Sequence, residues 1–160
     1  MLFIIDIKSR RVHLAGLTKN PNEAFMAQVA RNLTDCVNDF LREHRSLFCD
    51  RDTKFTRQFK QGLKAAGVEV VLTPVIAPNC NGYAEHFVLS IKPECTGRMI
   101  FFGERRFRET ATSYLEHYHT ERADQGGDRL RIETGASIGA GEIECVERLG
   151  GVLKYYRRVA

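Results

Sequence analysis

Two short stretches decide how this sequence is interpreted: residues 47–55 read LFCDRDTKF, and residues 79–85 read NCNGYAE. The apolar start of the first stretch predicts a buried strand that ends at Asp50. Glu85 follows a loop rich in proline, asparagine and glycine, at a predicted helix start. A divalent cation takes oxygen ligands that a rigid scaffold holds in place. The two carboxylates therefore suggest a metal site for phosphoryl chemistry, whereas two solvated surface acids are the simpler interpretation of the spacing alone.

Composition limits the class of protein. The chain has 160 residues, enough for one domain, with 43% hydrophobic and 28% charged residues. This balance is typical of a soluble globular protein and excludes a disordered chain or a membrane protein. The apolar residues 1–5 meet Asp6 too early for a signal peptide or a membrane span, so we expect no membrane partner. A core strand at the first residue suggests that an upstream segment has been lost.

Charge and cysteine usage narrow the setting further. The net charge is +4, and basic residues cluster at 8–11, 105–106 and 157–158, which permits a polyanionic partner. The five cysteines are scattered, odd in number and form no CxxC pair. Reduced thiols in a cytoplasmic, nucleoid-associated protein are the expected state, and a zinc site is not expected.

The first half of the chain predicts alternating strands and helices. Residues 2–7 and 11–17 predict a hairpin. The sequence Asn20-Pro21-Asn22-Glu23 predicts a helix start, with Asn20 as the cap, and the apolar spacing continues to about Glu43. A strand at 47–49, a helix at 56–66 closed by Gly67 and a strand at 68–72 then predict a parallel pair with a right-handed crossover.

The second half predicts two helices and a less regular end. A helix from Tyr83 has Glu85, Leu89 and Lys92 on one face, and Pro93 predicts a kink or break. A further helix covers about 104–119, where His117 and His119 fall on different faces and are expected to be exposed. Residues 120–141 predict a loop or linker. Residues 142–160 add a strand, a short helix or only a tail, so the predicted domains are 1–125 and a linker with a basic tail at 126–160.

The two opening stretches resemble the integrase core of DDE transposases and retroviral-type integrases. In that family the second catalytic acid opens an Asp-Arg-Gly-x-x-Phe/Tyr motif. The third lies in Asn-x-x-Asn-x-x-x-Glu, followed by a lysine. The resemblance extends to the hairpin residues 3–12 and to residues 118–122, and covers about residues 2–130.

This resemblance implies an α/β fold of the ribonuclease H-like kind, a mixed sheet flanked by helices that lacks the usual first strand. It implies that Asp50 and Glu85 are catalytic and bind Mg²⁺ or Mn²⁺ for DNA cleavage and strand transfer, with no small-molecule cofactor. DNA is the expected partner, and a homo-oligomer is compatible with the sequence. The residues expected to contact DNA are Arg51, Lys54, Arg57, Asn79, Asn81 and Lys92, although a solvated helix face also explains the cluster of basic residues around Lys54.

The chain departs from the family pattern in its first acid. The family's first catalytic aspartate lies upstream of the hairpin. Asp6 aligns instead with an aspartate beside the turn, so we expect Asp6 to cap that turn. An incomplete set of acids implies impaired activity. The alternatives are a non-catalytic nucleic-acid-binding or self-associating remnant and a ribonuclease H-like nuclease that cleaves without joining. Pro93 and residues 122–127 also depart from the pattern.

Overall fold

The computed structural model describes residues 1–35, 40–75, 81–121 and 142–159, which form a mixed α/β protein. These residues contain four α-helices: α1 (Glu23–Thr34), α2 (Arg57–Ala65), α3 (Gly82–Ile91) and α4 (Glu104–Thr120). They also contain six strands: β1 (Leu2–Ile5), β2 (Val12–Gly16), β3 (Ser46–Cys49), β4 (Glu69–Leu72), β5 (Ile143–Arg148) and β6 (Leu153–Arg158). None of the described helices is long and apolar enough to cross a membrane.

The described strands pair two by two, as β1–β2, β3–β4 and β5–β6. The sequence predicted one mixed sheet containing both the hairpin and the parallel pair, and the described strands do not form it. Leu2 and Ile4 of β1 pack against the same core as Leu47 of β3. The first two sheets therefore share buried side chains without sharing a backbone ladder.

The chain divides into two compact units. The first contains Met1–Ile4 and His13–Ala84, and the second contains Ile5–Val12 and Glu85–Ala160. The predicted domain boundary at 125/126 and the predicted linker at 126–141 lie outside the described residues.

Helix α1 begins and ends at different residues from those predicted. Its cap is Asn22, whose side chain accepts from the Phe25 amide at 2.9 Å, two residues after the predicted cap. The helix stops at Thr34 rather than near Glu43. Leu41 is buried from outside the helix, and its amide donates to the Leu33 carbonyl at 3.2 Å. This bond satisfies a carbonyl near the end of the helix that the helix itself leaves unpaired.

The predicted parallel pair is confirmed. β3 and β4 run parallel, with Leu47 opposite Val70 and Cys49 opposite Leu72. α2 connects them, buries Phe59 and Leu63 in the first unit's core, and is followed by Gly67 at φ +84°, as predicted. β3 is covered on one face only, because Phe48 is 56% exposed. The predicted buried strand is therefore buried on one of its two faces, through Leu47 and Cys49.

His13 on β2 gives the first unit a pH-dependent stability. Its ring stacks on Phe40 at 4.9 Å, and burial lowers the pKa of His13 below its ordinary value of 6.5. Below that value the unfolded chain binds a proton that the folded chain resists, so stability is full above about pH 6.5 and falls on acidification. Urea midpoints of wild type are expected to drop from pH 7.5 to pH 5.5, and to drop less in His13→Asn. An equal drop in the urea midpoints of wild type and His13→Asn would contradict this role of His13. The control is His86→Asn, a substitution at an exposed position.

In the second unit, α3 and α4 form at the positions that the apolar spacing predicted. Phe87 and Ile91 of α3 are buried with Ala111 and Tyr114 of α4. The α-helical pattern stops at Ile91, and residues Lys92–Thr96 form a π-helical segment that contains Pro93. Because proline has no amide hydrogen, it cannot continue the helical bonding, so the predicted break at Pro93 is confirmed.

The end of the described chain is an antiparallel hairpin. Of the alternatives open for residues 142–160, the strand is the one formed, since β5 pairs with β6 from Ile143 opposite Arg158 to Arg148 opposite Leu153. Glu147 pairs with Lys154 at 2.7 Å and Glu144 with Arg157 at 2.9 Å across the two strands. The basic character expected of this segment is therefore partly neutralised within the hairpin.

Candidate functional site

Asp50 lies at the carboxyl end of the parallel β3–β4 pair. It directly follows Cys49, the last residue of β3, whose carbonyl accepts from the Thr73 amide at 2.9 Å. The Asp50 side chain is 48% exposed, and its Oδ1 accepts from the Asp52 amide at 3.1 Å. Ligand sites in open α/β sheets form outside the carboxyl ends of parallel strands. This position therefore holds an exposed carboxylate at a location suited to ligand binding.

Lys54 contacts both aspartates of this loop through its side-chain ammonium. Its Nζ is 2.7 Å from Asp52 Oδ2 and 3.7 Å from Asp50 Oδ2. The hydrogen bond from the Lys54 side chain, and then the one from its amide, hold the pKa of Asp52 below its ordinary value. Asp52 is thus committed to Lys54, while Asp50 is the carboxylate with the weaker contact to the ammonium.

The residues on either side of Asp50 hold the end of β3 in place. The Nε of Arg51 donates to the Thr73 carbonyl at 3.0 Å. Burial raises the pKa of Cys49 to about 12, with Asp50 adding to the rise and Lys60 and Lys54 opposing it. Cys49 is therefore a neutral core thiol rather than a nucleophile. Arg57 is exposed on the first turn of α2.

The remaining predicted residues belong to other parts of the chain. Glu85 is exposed in the first turn of α3, and Asn81 is exposed directly before that helix. Leu89 of α3 is exposed as well, and so is Lys92, which begins the π-helical segment after that helix. Asp50 belongs to the first unit and Glu85 to the second. Asn79 lies outside the described residues.

Asp6 caps a turn, as the sequence predicted. Its Oδ1 accepts from the Lys8 amide at 2.9 Å, and its Oδ2 accepts from the Ser9 hydroxyl. The Asp6 amide donates to the Arg11 carbonyl at 2.9 Å, which closes the connection between β1 and β2. The carboxylate oxygens are therefore engaged in local backbone and hydroxyl contacts, and Asp6 is a poor replacement for the first acid of a metal site.

The donor chemistry fits a hard divalent cation, because Asp50 and Glu85 each offer exposed carboxylate oxygens. Among the residues that the structure describes, no group of three or more histidine, cysteine, aspartate or glutamate side chains is arranged to hold a metal. Any cation held by Asp50 would therefore need further oxygen donors, from substrate phosphate or water.

A network of charged side chains in the second unit was not predicted from the sequence. His117 is buried on the last turn of α4, and its Nδ1 lies 2.8 Å from Oε2 of Glu121, the residue that caps the helix and whose side chain is 6% exposed. Arg148 of β5 reaches Glu121 Oε1 from Nη2 at 2.6 Å and Glu116 Oε2 from Nη1 at 3.0 Å. The network joins the C-terminal hairpin to α4. The prediction that His117 is exposed was therefore wrong.

Each part of this network has a physical explanation. Burial opposes ionisation of Glu121, but hydrogen bonds from Arg148 and His117 outweigh it and hold the pKa of Glu121 below its ordinary value. His119 is half-buried, and its Nε2 accepts from the Val12 amide at 2.9 Å. The spacing of four residues between His117 and Glu121 was a usable helical signal. No sequence signal marks Arg148 as their partner, because it follows 27 residues later.

Neither the scan against protein-family models nor the search of solved structures finds a match to this chain. Functional inference therefore depends on the residues and their positions. The two features that carry it are the carboxylate at the β3 carboxyl end and the exposed acid at the start of α3.

Proposed function

We propose that this chain is a ribonuclease H-like core of the DDE transposase and integrase kind, related to metal-dependent DNA cleavage and strand transfer. Asp50 and Glu85 are its catalytic carboxylates, and Asp6, whose carboxylate is engaged in its turn, is a weak replacement for a first acid, which lowers the activity. The observation that carries the proposal is the parallel β3–α2–β4 unit with Asp50 exposed at the carboxyl end of β3.

The local geometry of each acid supports this role. Asp50 is oriented by the Asp52 amide, which leaves its second oxygen toward Lys54 and solvent. Glu85 is in the first turn of a helix, where the helix dipole favours a negative charge and a stable carboxylate. Lys92 is exposed at the start of the π-helical segment that follows α3. These are the groups that the family motif associates with cation and DNA binding.

The chemistry that these residues would support is an in-line displacement at phosphorus. When bound, Mg²⁺ or Mn²⁺ supplies Lewis acidity that lowers the cost of negative charge on the attacking and leaving oxygens. Asp50 and Glu85 provide the oxygen ligands. An oxygen of water or of a DNA 3′-hydroxyl forms the new bond to phosphorus as the bond to the leaving 3′-oxygen breaks. Exposed basic side chains hold the phosphates and carry affinity rather than sequence recognition.

A second function is favoured by a different observation. Lys54 already neutralises Asp52 and contacts Asp50, so the strand end carries its own counter-ion. A strand end whose carboxylates already have a lysine as counter-ion suits a non-catalytic DNA-binding remnant, in which the fold is retained without turnover. The remnant predicts DNA binding that needs no divalent cation and is not weakened by loss of Asp50.

Incubation of the full chain with supercoiled plasmid and Mn²⁺, followed by gel analysis of nicked and joined products, separates these functions. The proposal expects nicking that EDTA abolishes, and transfer of a labelled 3′-hydroxyl end into the plasmid. Nicking without end joining would indicate a nuclease instead. Retardation of the plasmid without nicking in either buffer would support the remnant and contradict the proposed activity.

A further inference from the structure

We propose that the outward face of α2, formed by Arg57, Lys60 and Lys64, is the surface that binds the DNA phosphate backbone. This inference rests on the proposed function for the choice of DNA as partner. It differs from the sequence-based choice of Arg51 and Lys54 as phosphate contacts, since Arg51 donates to the Thr73 carbonyl and Lys54 is paired with Asp52.

The three basic residues share one side of the helix. Steps of 100° per residue place Arg57, Lys60 and Lys64 within an arc of about 60°, spread over about 10 Å of helix length. The opposite side is the packed one: Phe59 and Leu63 are buried, and a Cβ on Gly62 would lie 3.4 Å from that of Ala30 on α1. Arg57 and Lys64 are exposed and Lys60 is half-buried. The basic stripe therefore faces away from the core.

Within the part of the chain that the structure describes, the charges of this stripe have no ion-pair partner, whereas those of α4 and the C-terminal hairpin do. α2 contains no acidic residue, and the three side chains form no ion pair with the described residues. On α4, by contrast, Arg105 pairs with Glu109 at 2.9 Å and Arg108 with Glu104 at 3.3 Å. The hairpin bases Lys154 and Arg157 are paired across strands. A helix that carries three positive charges and no counter-charge attracts an anionic partner.

The stripe also lies beside the strand end that carries the candidate acid. Lys60 acts electrostatically on Cys49, the residue before Asp50, and opposes the rise in the pKa of that thiol. α2 begins directly after the loop that contains Asp50 and Lys54, with Thr56 as its cap. A phosphate backbone that follows the stripe toward its N-terminal end would therefore reach the Asp50 loop.

DNA is the partner that fits this surface, because a row of separated cations matches a regularly spaced row of phosphates. Each phosphate that a protein cation neutralises releases counter-ions, so log Kd depends on log salt concentration with a slope of about 0.9 per contact. Three contacts therefore give a measurable and countable effect. An anionic membrane surface would also attract lysines, and the experiment includes it as a competing outcome.

The test compares two triple variants that remove the same charge from a protein of net charge +4. The first carries Arg57→Gln, Lys60→Gln and Lys64→Gln. The control carries Arg105→Gln, Arg106→Gln and Arg108→Gln on α4. Fluorescence anisotropy of a labelled 20-base-pair duplex is measured against NaCl concentration in EDTA, so that neither metal nor cleavage contributes. We expect the slope of log Kd against log NaCl concentration to fall by about 2 to 3 in the α2 triple variant and by less than about 1 in the α4 triple variant.

Equal slopes for the two triples, or an unchanged slope in the α2 triple, would overturn the inference. The inference would also be overturned if the α2 triple variant lost binding to phosphatidylserine vesicles while its binding to the duplex stayed intact. A charge-retaining variant with Arg57→Lys, Lys60→Arg and Lys64→Arg should keep the wild-type slope, and a loss as large as that of the glutamine triple would also overturn it. Because this readout is metal-free, absence of nicking in the plasmid assay would count against the proposed activity without deciding the binding surface.

Discussion

Asp50→Asn is expected to reduce Mn²⁺-dependent plasmid nicking by roughly a thousandfold. The substitution removes a charged oxygen ligand while keeping the size of the side chain and the acceptor for the Asp52 amide. Loss of a metal's Lewis acidity costs several kcal/mol of transition-state stabilisation, and about 1.4 kcal/mol corresponds to each factor of ten in rate. Glu85→Gln should have a similar effect. The measurement is the initial rate of nicked-circle formation at fixed Mn²⁺ concentration.

Asp52→Asn is the matched control for this result. It removes the same charge two residues away, from a carboxylate that is committed to Lys54 rather than available to a cation. The nicking rate of this variant should stay within a few-fold of wild type. If Asp52→Asn abolishes nicking while Asp50→Asn retains it, the assignment of Asp50 as the catalytic acid is wrong.

Arg148→Ala is expected to lower the free energy of unfolding by about 2 kcal/mol, because it removes hydrogen bonds to a carboxylate that is nearly buried, while the contact of that carboxylate with His117 remains. The Glu121 side chain is only 6% exposed, and Arg148 contacts both of its oxygens. Breaking the contact also frees the C-terminal hairpin from α4. Urea unfolding at pH 7 measures the loss.

Two comparisons make the Arg148 result specific. Glu116→Gln removes the exposed partner of Arg148, and should cost less than about 1 kcal/mol because exposed ion pairs contribute little. The depressed pKa of Glu121 means that its stabilising contribution is present above the ordinary value of 4.5 and is lost as pH falls through the folded-state pKa. Arg148→Ala should therefore lose less stability than wild type on acidification from pH 5 to pH 3. Equal stability of Arg148→Ala and wild type at pH 7 would contradict the account of this network.

Much of the local structure could be predicted because it depends on neighbouring residues. Apolar spacing and the glycine after α2 located that helix within one or two residues, and Pro93 located the break after α3. The end of α1 could not be predicted in the same way. Leu41 continues the helical apolar pattern but reaches the core by a fold-back that bonds to the Leu33 carbonyl. Periodicity identifies which side chains are buried and not which backbone path buries them.

The candidate site shows the same distinction. The turn-capping role of Asp6 follows from short-range geometry, and the structure confirms it. The commitment of Lys54 to Asp52 was missed, although the two residues are only two apart, because charge alone did not show which partner the ammonium would take. The His117 network needed Arg148, a residue brought near only by the hairpin. Pairings over long sequence separation therefore required the structure.

Asp50 and Glu85 are each proposed above as a ligand of a divalent cation. Titration of the full chain with Mn²⁺, followed by electron paramagnetic resonance of the free ion, tests this proposal without DNA or turnover. We expect Mn²⁺ to bind wild type and Asp52→Asn, and to bind at least tenfold more weakly to both Asp50→Asn and Glu85→Gln. Binding that is unchanged in either of these two variants, or that depends on Asp52 instead, would contradict it.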